Sequence, residues 1–222
     1  MNITAIVQEI EKRADELPVR NVPALRALRR EYSKRLRALP AEAVVKIAAA
    51  LIGHGRVHRF VGDELIMTRA DALRILDRAQ LERLGTGMSS WDQVDCFASY
   101  LSGPAWRQGQ IGDEAIAGWA KSKDRWWRRA ALVSTTALNV KARGGSGDAR
   151  RTLAVCRLLM DDRDDMVVKA LSWSLRVLAP HDPNAVKAFL EQNEERLAAL
   201  VLREVRRKLE TGRKNRPRLS QT

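Results

Sequence analysis

The amino-acid sequence predicts an all-α fold, a HEAT-like helical-repeat solenoid, and two observations support this prediction. Apolar residues recur at spacings of three and four along nearly the whole chain, and the strict alternation of a half-buried β-strand does not occur. Two segments also repeat, since D-R-W-W-R-R-A-A-L begins at Asp124 and D-D-M-V-V-K-A-L-S begins at Asp164, 40 positions later. Periods of about 40 to 47 residues built from helix pairs are typical of HEAT and armadillo repeats, which stack into a curved array.

Capping and helix-breaking residues divide the chain into successive helices. Asn21 can cap a helix that carries Pro23 in its first turn, and Pro40 opens the helix that follows. Asp71 can cap a longer helix over the run A-L-R-I-L-D-R-A-Q-L-E-R-L. The remaining signals, in chain order, are helix ends at Gly53 and Gly55, a break at Gly85 and Gly87, a cap at Ser89 and Ser90, a helix end at Gly103 and Pro104, a loop from Gly144 to Asp148, and caps among Asp161, Asp162, Asp164 and Asp165.

Length and composition limit the class of protein. With 222 residues, 45% of them hydrophobic, the chain can fold around a substantial core. We expect one HEAT-like-repeat domain over residues 1–211 and a flexible basic tail over residues 212–222. The N-terminus lacks the apolar region of a signal peptide, and no apolar run approaches the ~20 residues that span a bilayer. We therefore expect a cytoplasmic protein that makes no membrane contact. As a separate expectation, it is a monomer.

The charge balance favours an anionic partner. Lys and Arg number 40 against 27 Asp and Glu, which gives a formal net charge of +13. Nucleic acid is the commonest partner of so basic a protein, although a soluble protein with a solvated basic surface has the same composition. The chain also carries neither a metal motif nor a cofactor motif: Cys96 and Cys156 lie in apolar helical patterns, as core residues do, and the three histidines lack the companions of a zinc site.

Two tryptophan-centred pairs are the strongest candidates for a site. Trp91 and Asp95 are spaced i and i+4, so on a helix the indole and the carboxylate share one face, and Trp173 and Arg176 are spaced i and i+3. Indole faces attract cations, and a carboxylate stabilises developing positive charge. The pattern therefore fits a site for a positively charged group on a polyanion. Tryptophan on a helix is more often a core residue, and we place Trp106, Trp119 and Trp126 in the core or at contacts between helices.

Four runs, in this order, resemble the AlkC/AlkD-type DNA alkylation repair proteins, which are HEAT-like-repeat DNA glycosylases. They are S-W-D-Q-V-D, D-R-W-W-R-R-A-A-L-V, D-D-M-V-V-K-A-L-S-W-S-L-R and R-E-V-R-R-K-L-E-T-G. The resemblance covers the chain from about Val22 to Lys214. It implies a C-shaped stack of helical repeats that holds duplex DNA containing alkylated bases. It also implies removal of cationic N3- and N7-alkylpurines by cleavage of the N-glycosidic bond.

The resemblance also implies roles for individual residues. Asp95 matches the catalytic carboxylate, with Trp91 and Trp173 as the indoles that accompany it, while Arg176 and Arg129 match DNA-contacting arginines. The 40-residue register places Lys169 opposite Arg129, so we expect Arg129, Lys169 and Arg176 to line one concave basic surface. The segment H-G-R-V-H-R-F-V-G-D-E-L-I departs from the family pattern. The further DNA-binding candidates are Arg128 and Tyr32.

The sequence thus predicts a glycosylase of the 3-methyladenine and 7-methylguanine type. Two alternatives remain open: a catalytically silent helical-repeat protein that binds DNA, and a helical-repeat scaffold for an acidic protein or RNA. The retained W-x-x-x-D and W-x-x-R motifs favour the enzyme over the scaffold. Nothing in the sequence separates the enzyme from the silent DNA-binding protein.

Overall fold

The computed structural model describes residues 2–213, and within that range the ordered elements are helices without a β-strand, so the all-α prediction is confirmed. The chain divides into two compact units, Met1–Ile111 and Gly112–Thr222. The single repeat domain over residues 1–211 stays a prediction. Most of the expected basic tail, residues 214–222, lies outside the described residues.

The first unit consists of eight α-helices and one π-helical turn within its described residues. Their bounds are α1 Ile3–Asp15, α2 Val22–Arg35, α3 Ala41–Gly53, α4 Arg56–Met67, α5 Ala70–Arg74, α6 Arg78–Gly85, α7 Trp91–Phe97, the π-helical turn Ala98–Ser102 and α8 Gly103–Arg107. Helix α4 packs against α2, α3, α5, α7 and the π-helical turn, so it lies at the centre of this unit.

The close approach of α3 and α4 depends on a glycine. A Cβ atom added at Gly62 would lie 2.8 Å from the backbone carbonyl oxygen of Ala48 and 3.0 Å from the Cγ1 atom of Ile52. Real Cβ atoms essentially never come this near to a backbone oxygen. The two helices can therefore pack at this distance only because residue 62 has no side chain. The contact buries apolar residues on both helices, among them Ile47, Leu51, Val61 and Ile66.

Several helix ends agree with the sequence. Asn21 caps α2 by accepting a hydrogen bond from the backbone N–H of Ala24 at 3.0 Å, and Pro23 lies in the first turn. Helix α3 ends at Gly53, as predicted, and Ser90 occupies the N-cap position of α7, although its side chain makes no capping hydrogen bond there. Local sequence signals therefore fixed these boundaries correctly.

Two predicted helix boundaries differ from those of the structure. Asp71 is not a cap but lies in the first turn of α5, where Arg69 holds it in an ion pair of 2.9 Å. The long helix predicted there divides instead at Asp77, whose capping box with Gln80 starts α6. Pro104 does not end the Trp91 helix either. The chain passes through a π-helical turn into α8, and Pro104 lies in the first turn of that helix.

The second unit repeats a helix-pair arrangement. Its elements are α9 Asp113–Ala120, α10 Arg125–Ser134, α11 Thr136–Asn139, a 3₁₀ turn Lys141–Arg143, α12 Ala149–Leu159, α13 Asp165–Leu178, α14 Pro183–Gln192 and α15 Ala199–Thr211. Asp124 and Asp164 cap α10 and α13 in the same way, each accepting from the backbone N–H two residues later, at 2.8 and 2.9 Å. The 40-residue register thus gives equivalent helix starts, and α10 and α13 pack against each other.

Substitution of Gly62 tests the α3–α4 contact. Gly62→Ala should lower the free energy of unfolding by about 1–3 kcal/mol, because the added methyl group must push the two backbones apart. Gly53→Ala is the matched control, since a Cβ atom there meets nothing within 4 Å. Urea unfolding of the three proteins measures the difference, and equal stability of the two variants would contradict the close approach.

Candidate functional site

Trp91 and Asp95 occupy the positions that the sequence predicts for them. Trp91 is the first residue of α7 and is 54% exposed, whereas Asp95, one turn later, is half-buried. An indole is a large apolar group, and holding it in solvent forfeits the free energy of its burial. An exposed tryptophan one turn before a half-buried carboxylate is therefore a candidate binding feature. Trp106 and Trp119 are buried in the core, as expected, whereas Trp126 is only half-buried.

The neighbouring carboxylate, Asp92, has a different environment. Its Oδ2 atom accepts a hydrogen bond from Nε of Arg56 at 2.6 Å, in an ion pair that ties the start of α7 to the start of α4. Asp92 thus has a structural role at the helix start, and helix geometry turns it about 100° away from Trp91. Asp95 remains the better candidate for chemistry.

An open depression of about 440 Å³ lies at the N-terminal end of α7, directly before Trp91. Arg59 is 4% exposed and donates to the carbonyl oxygens of Leu84 and Thr86 at 2.7 and 2.6 Å, so it caps the C-terminal end of α6. Two arginines, Arg56 and Arg59, line the depression. The lining residues are Ile52, Gly53, Gly55, Arg56, Arg59, Thr86, Gly87, Ser89, Ser90 and Gln93.

Helix α4 also carries two fully buried carboxyl groups that sequence analysis missed. Glu64 accepts from Nε of Arg26 at 2.8 Å and from Nε of Arg29 at 3.4 Å, so two arginine side chains lie against its carboxyl group. Asp63 has no hydrogen-bond partner within the described residues. Burial raises the pKa of Asp63 to about 8, against the opposing effect of Arg59, and Glu64 raises the pKa further. Asp63 is therefore mainly protonated at neutral pH.

Tyr32 is fully buried on α2. The guanidinium carbons of Arg13 and Arg35 lie 5.6 and 4.8 Å from its ring centroid, so the ring packs against two cationic side chains. Burial raises the pKa of its hydroxyl, Arg13 lowers it, and Glu9 raises it further. The ring helps to hold α1 against α2, and its proposed contact with DNA stays a prediction.

The arginine candidates of the second unit are engaged with the protein itself. Arg129 is 6% exposed, and its Nη1 atom donates to the carbonyl oxygen of Met166 at 2.5 Å, which joins α10 to the start of α13. Arg128 donates to Asp162 at 2.7 Å and to the carbonyl oxygen of Lys123 at 2.8 Å. Both side chains therefore have a structural role, and their contact with a partner stays a prediction.

The candidates on α13 have three different environments. Lys169 is exposed and forms an i,i+4 ion pair of 2.6 Å with Asp165, whereas Trp173 is half-buried. The Nε atom of Arg176 donates to the Ser172 hydroxyl at 3.1 Å and lies 3.5 Å from Oε2 of Glu204 on α15. Lys169, Trp173 and Arg176 follow one stripe of the helix by their spacing. That Arg129 lines the same surface stays a prediction.

The sequence held a signal for the residues that were missed. Arg59 and Asp63 are spaced i and i+4, and Glu64 is adjacent, within the segment that departed from the family pattern. Polar residues spaced four positions apart on a helix usually face solvent, so the sequence could not show that this set is buried. Among the described residues, no group of three or more His, Cys, Asp or Glu could hold a metal ion.

Comparison with known proteins gives one family. A family model described as DNA alkylation repair enzyme matches residues 4–209, which include α4 and most of each compact unit. No curated protein matches the chain. Within residues 2–213 there is no helix with the length and apolar character needed to cross a membrane.

The buried carboxyl of Asp63 predicts an unusual pH dependence of stability. The folded protein binds this proton up to about pH 8, whereas the unfolded chain releases it near the ordinary value of 3.8. Folding therefore takes up a proton between these pH values, and the contribution of Asp63 to stability falls as the pH rises, by up to about 1.4 kcal/mol per pH unit. Below about pH 4 this contribution is fully present.

The test compares urea unfolding of wild type and Asp63→Asn over this pH range. The difference in unfolding free energy between the two proteins should change steadily from about pH 4 to about pH 8 and then level off. Asp165→Asn, at an exposed carboxylate, is the control and should give a nearly constant difference. Parallel curves for wild type and Asp63→Asn would show that Asp63 is ionised in the folded protein.

Proposed function

Because this chain belongs to the family of DNA alkylation repair enzymes, we propose that it is a DNA glycosylase acting on cationic alkylpurines in duplex DNA. Its substrates are bases of the 3-methyladenine and 7-methylguanine type, and the bond it hydrolyses is the N-glycosidic bond. The observation that carries the proposal is the pairing on α7 of an exposed indole, Trp91, with a half-buried carboxylate, Asp95, one turn later.

The chemistry of the lesion explains why these two groups suit it. Alkylation at N3 or N7 gives the purine a positive charge, so it leaves as a neutral base and takes the electrons of the C1′–N bond. Positive charge then develops on the deoxyribose, and water adds to C1′ and loses a proton. The carboxylate of Asp95 stabilises the developing oxocarbenium charge and can orient the water or accept its proton. No metal or cofactor is required for these steps.

The indoles supply selectivity for the charged base. A cation over the face of tryptophan gains about 0.5–2 kcal/mol, depending on how far it is desolvated, whereas a neutral purine lacks this gain. Trp91 is exposed and can present its face to a base. We assign the same task to Trp173, which is half-buried on α13. Ordinary purines would therefore bind less well and leave more slowly.

Basic side chains are proposed to hold the phosphates of the duplex. Lys169 is the best placed of them, because it is exposed and its ion pair with Asp165 is a solvent-exposed one that a phosphate can replace at little cost. Arg176 is proposed to contact a phosphate as well. Arg128, Arg129 and Tyr32 have internal partners or are buried, so we assign them mainly to shaping the surface on which DNA lies.

The repeat organisation is part of the same proposal. The equivalent caps of α10 and α13 and the packing of these helices support HEAT-like repeats in the second unit. Such repeats present corresponding helix positions along one surface, which suits a ligand as regular as duplex DNA. We propose that the protein acts on duplex DNA as a cytoplasmic monomer.

Asp95→Asn tests the catalytic assignment. The amide is nearly isosteric but uncharged, so DNA affinity and fold should be kept while release of 7-methylguanine slows. Removal of one preorganised electrostatic contact typically costs ~10²–10³-fold in rate, and the loss should be smaller here if the spontaneous departure of the cationic base is already fast. The measurement is single-turnover excision from alkylated duplex DNA at saturating protein.

Asp92→Asn is the control for this experiment, because it removes a carboxylate from the same helix at a position paired with Arg56. It should retain the excision rate of wild type. Equal rates for wild type and Asp95→Asn, both above the spontaneous rate, would remove Asp95 from the mechanism. If wild type binds DNA but releases 7-methylguanine no faster than the spontaneous rate, the protein is a catalytically silent DNA-binding protein.

The salt dependence of DNA affinity tests the phosphate contacts. Duplex affinity should fall steeply with salt, since each neutralised phosphate releases counterions, and Lys169→Ala should flatten the slope of log K against log salt by about one unit. Lys187→Ala is matched to it, because Lys187 is also exposed and paired at i,i+4, with Glu191 on α14. An affinity that is indifferent to salt would favour a scaffold for another partner.

A further inference from the structure

A three-residue network joins α13 to α15. The Ser172 hydroxyl donates to Oε2 of Glu204 at 2.7 Å and accepts from Nε of Arg176 at 3.1 Å, while Nε lies 3.5 Å from the same carboxylate oxygen. Ser172 is fully buried, and the side chains of Arg176 and Glu204 are 14% and 16% exposed. The network is therefore largely buried. Electrostatic contacts are stronger in the protein interior than in water.

The network fixes one edge of the guanidinium group. Burial lowers the pKa of Arg176, and the charge of Glu204 opposes that effect. Between residues 2 and 213, neither of the two terminal nitrogens of Arg176 has a hydrogen-bond partner. A guanidinium held at Nε has its terminal N–H groups in a fixed direction, and a planar pair of such donors fits the oxygens of a phosphate.

We infer that Glu204, acting through Ser172, is a positioning residue that orients Arg176 toward a phosphodiester oxygen of the DNA backbone. This inference rests on the proposed function. Without Glu204, the arginine side chain would have to be ordered at the moment of binding. Ordering one long side chain weakens binding by about 2- to 12-fold.

The sign of the effect separates positioning from simple electrostatics. Removal of a carboxylate from a protein with a net charge of +13 should strengthen binding to a polyanion, if the carboxylate contributes only its charge. The positioning role gives the opposite result. Glu204→Ala should therefore bind duplex DNA more weakly than wild type, although its net charge is more positive.

The experiment measures duplex affinity of the full-length protein by fluorescence polarisation at fixed salt, well below the unfolding temperature of every variant. Glu194→Ala is the matched control, because Glu194 pairs with Arg206 at the surface and its loss changes the charge equally. We expect Glu204→Ala to lose about 2- to 12-fold in affinity and Glu194→Ala to equal or exceed wild type. Combining Glu204→Ala with Arg176→Ala should add no further loss to that of Arg176→Ala.

Ser172→Ala gives an independent measurement and carries the test if Glu204→Ala does not fold. It removes the bridging hydroxyl and should also weaken DNA binding. Ser174→Ala, which removes a buried hydroxyl bonded to the carbonyl oxygens of Leu132 and Ala170, should leave affinity unchanged. If Glu204→Ala or Ser172→Ala binds as well as its control while Arg176→Ala binds weakly, the positioning role is overturned and the proposed function stands. If Arg176→Ala and wild type bind equally, the proposed role of Arg176 in DNA binding fails.

Discussion

The structure of the first unit depends on the burial of α4. This helix approaches α3 so closely that residue 62 must be glycine, yet it carries three ionisable residues into the core. A buried charge is costly unless it is paired, hydrogen-bonded or neutralised, and α4 uses each of these solutions once. Arg59 donates to two carbonyl oxygens at the end of α6, Glu64 binds two arginines of α2, and Asp63 holds a proton. These contacts join α4 to α6 and α2, and α7, the helix that bears Trp91, also packs against α4.

Local signals allowed much of the helical organisation to be predicted. A cap such as Asn21, or the repeated aspartates before α10 and α13, acts on the next three residues, so its effect can be read without the fold. The failures occur where two local signals compete. The Asp77 capping box divided a helix that periodicity had joined, and a π-helical turn continued a helix that Pro104 was expected to end.

The candidate site could be predicted only in part, for a different reason. Spacing shows that Trp91 and Asp95 share a helix face, but burial depends on what packs against that face. Tyr32 and Arg129 illustrate this, because both were plausible contacts for DNA and both are buried. The number of basic residues is a similarly limited guide to DNA contacts, because guanidinium groups that are bonded to backbone carbonyls stabilise the fold instead. Glu204, which contacts α13 from α15, has no signal in the sequence around Arg176.

The proton on Asp63 changes the meaning of the formal charge. The value of +13 counts every aspartate as ionised, whereas the folded protein at neutral pH holds one of them mainly as the neutral acid. The native molecule thus carries almost one more positive charge than its unfolded chain. Its electrophoretic mobility should exceed what the composition gives, and a folding reaction in weak buffer should make the solution slightly more alkaline. Because the buried Asp63 is neutral, it cancels none of the positive charge, and the long-range field by which a basic protein attracts a polyanion is stronger.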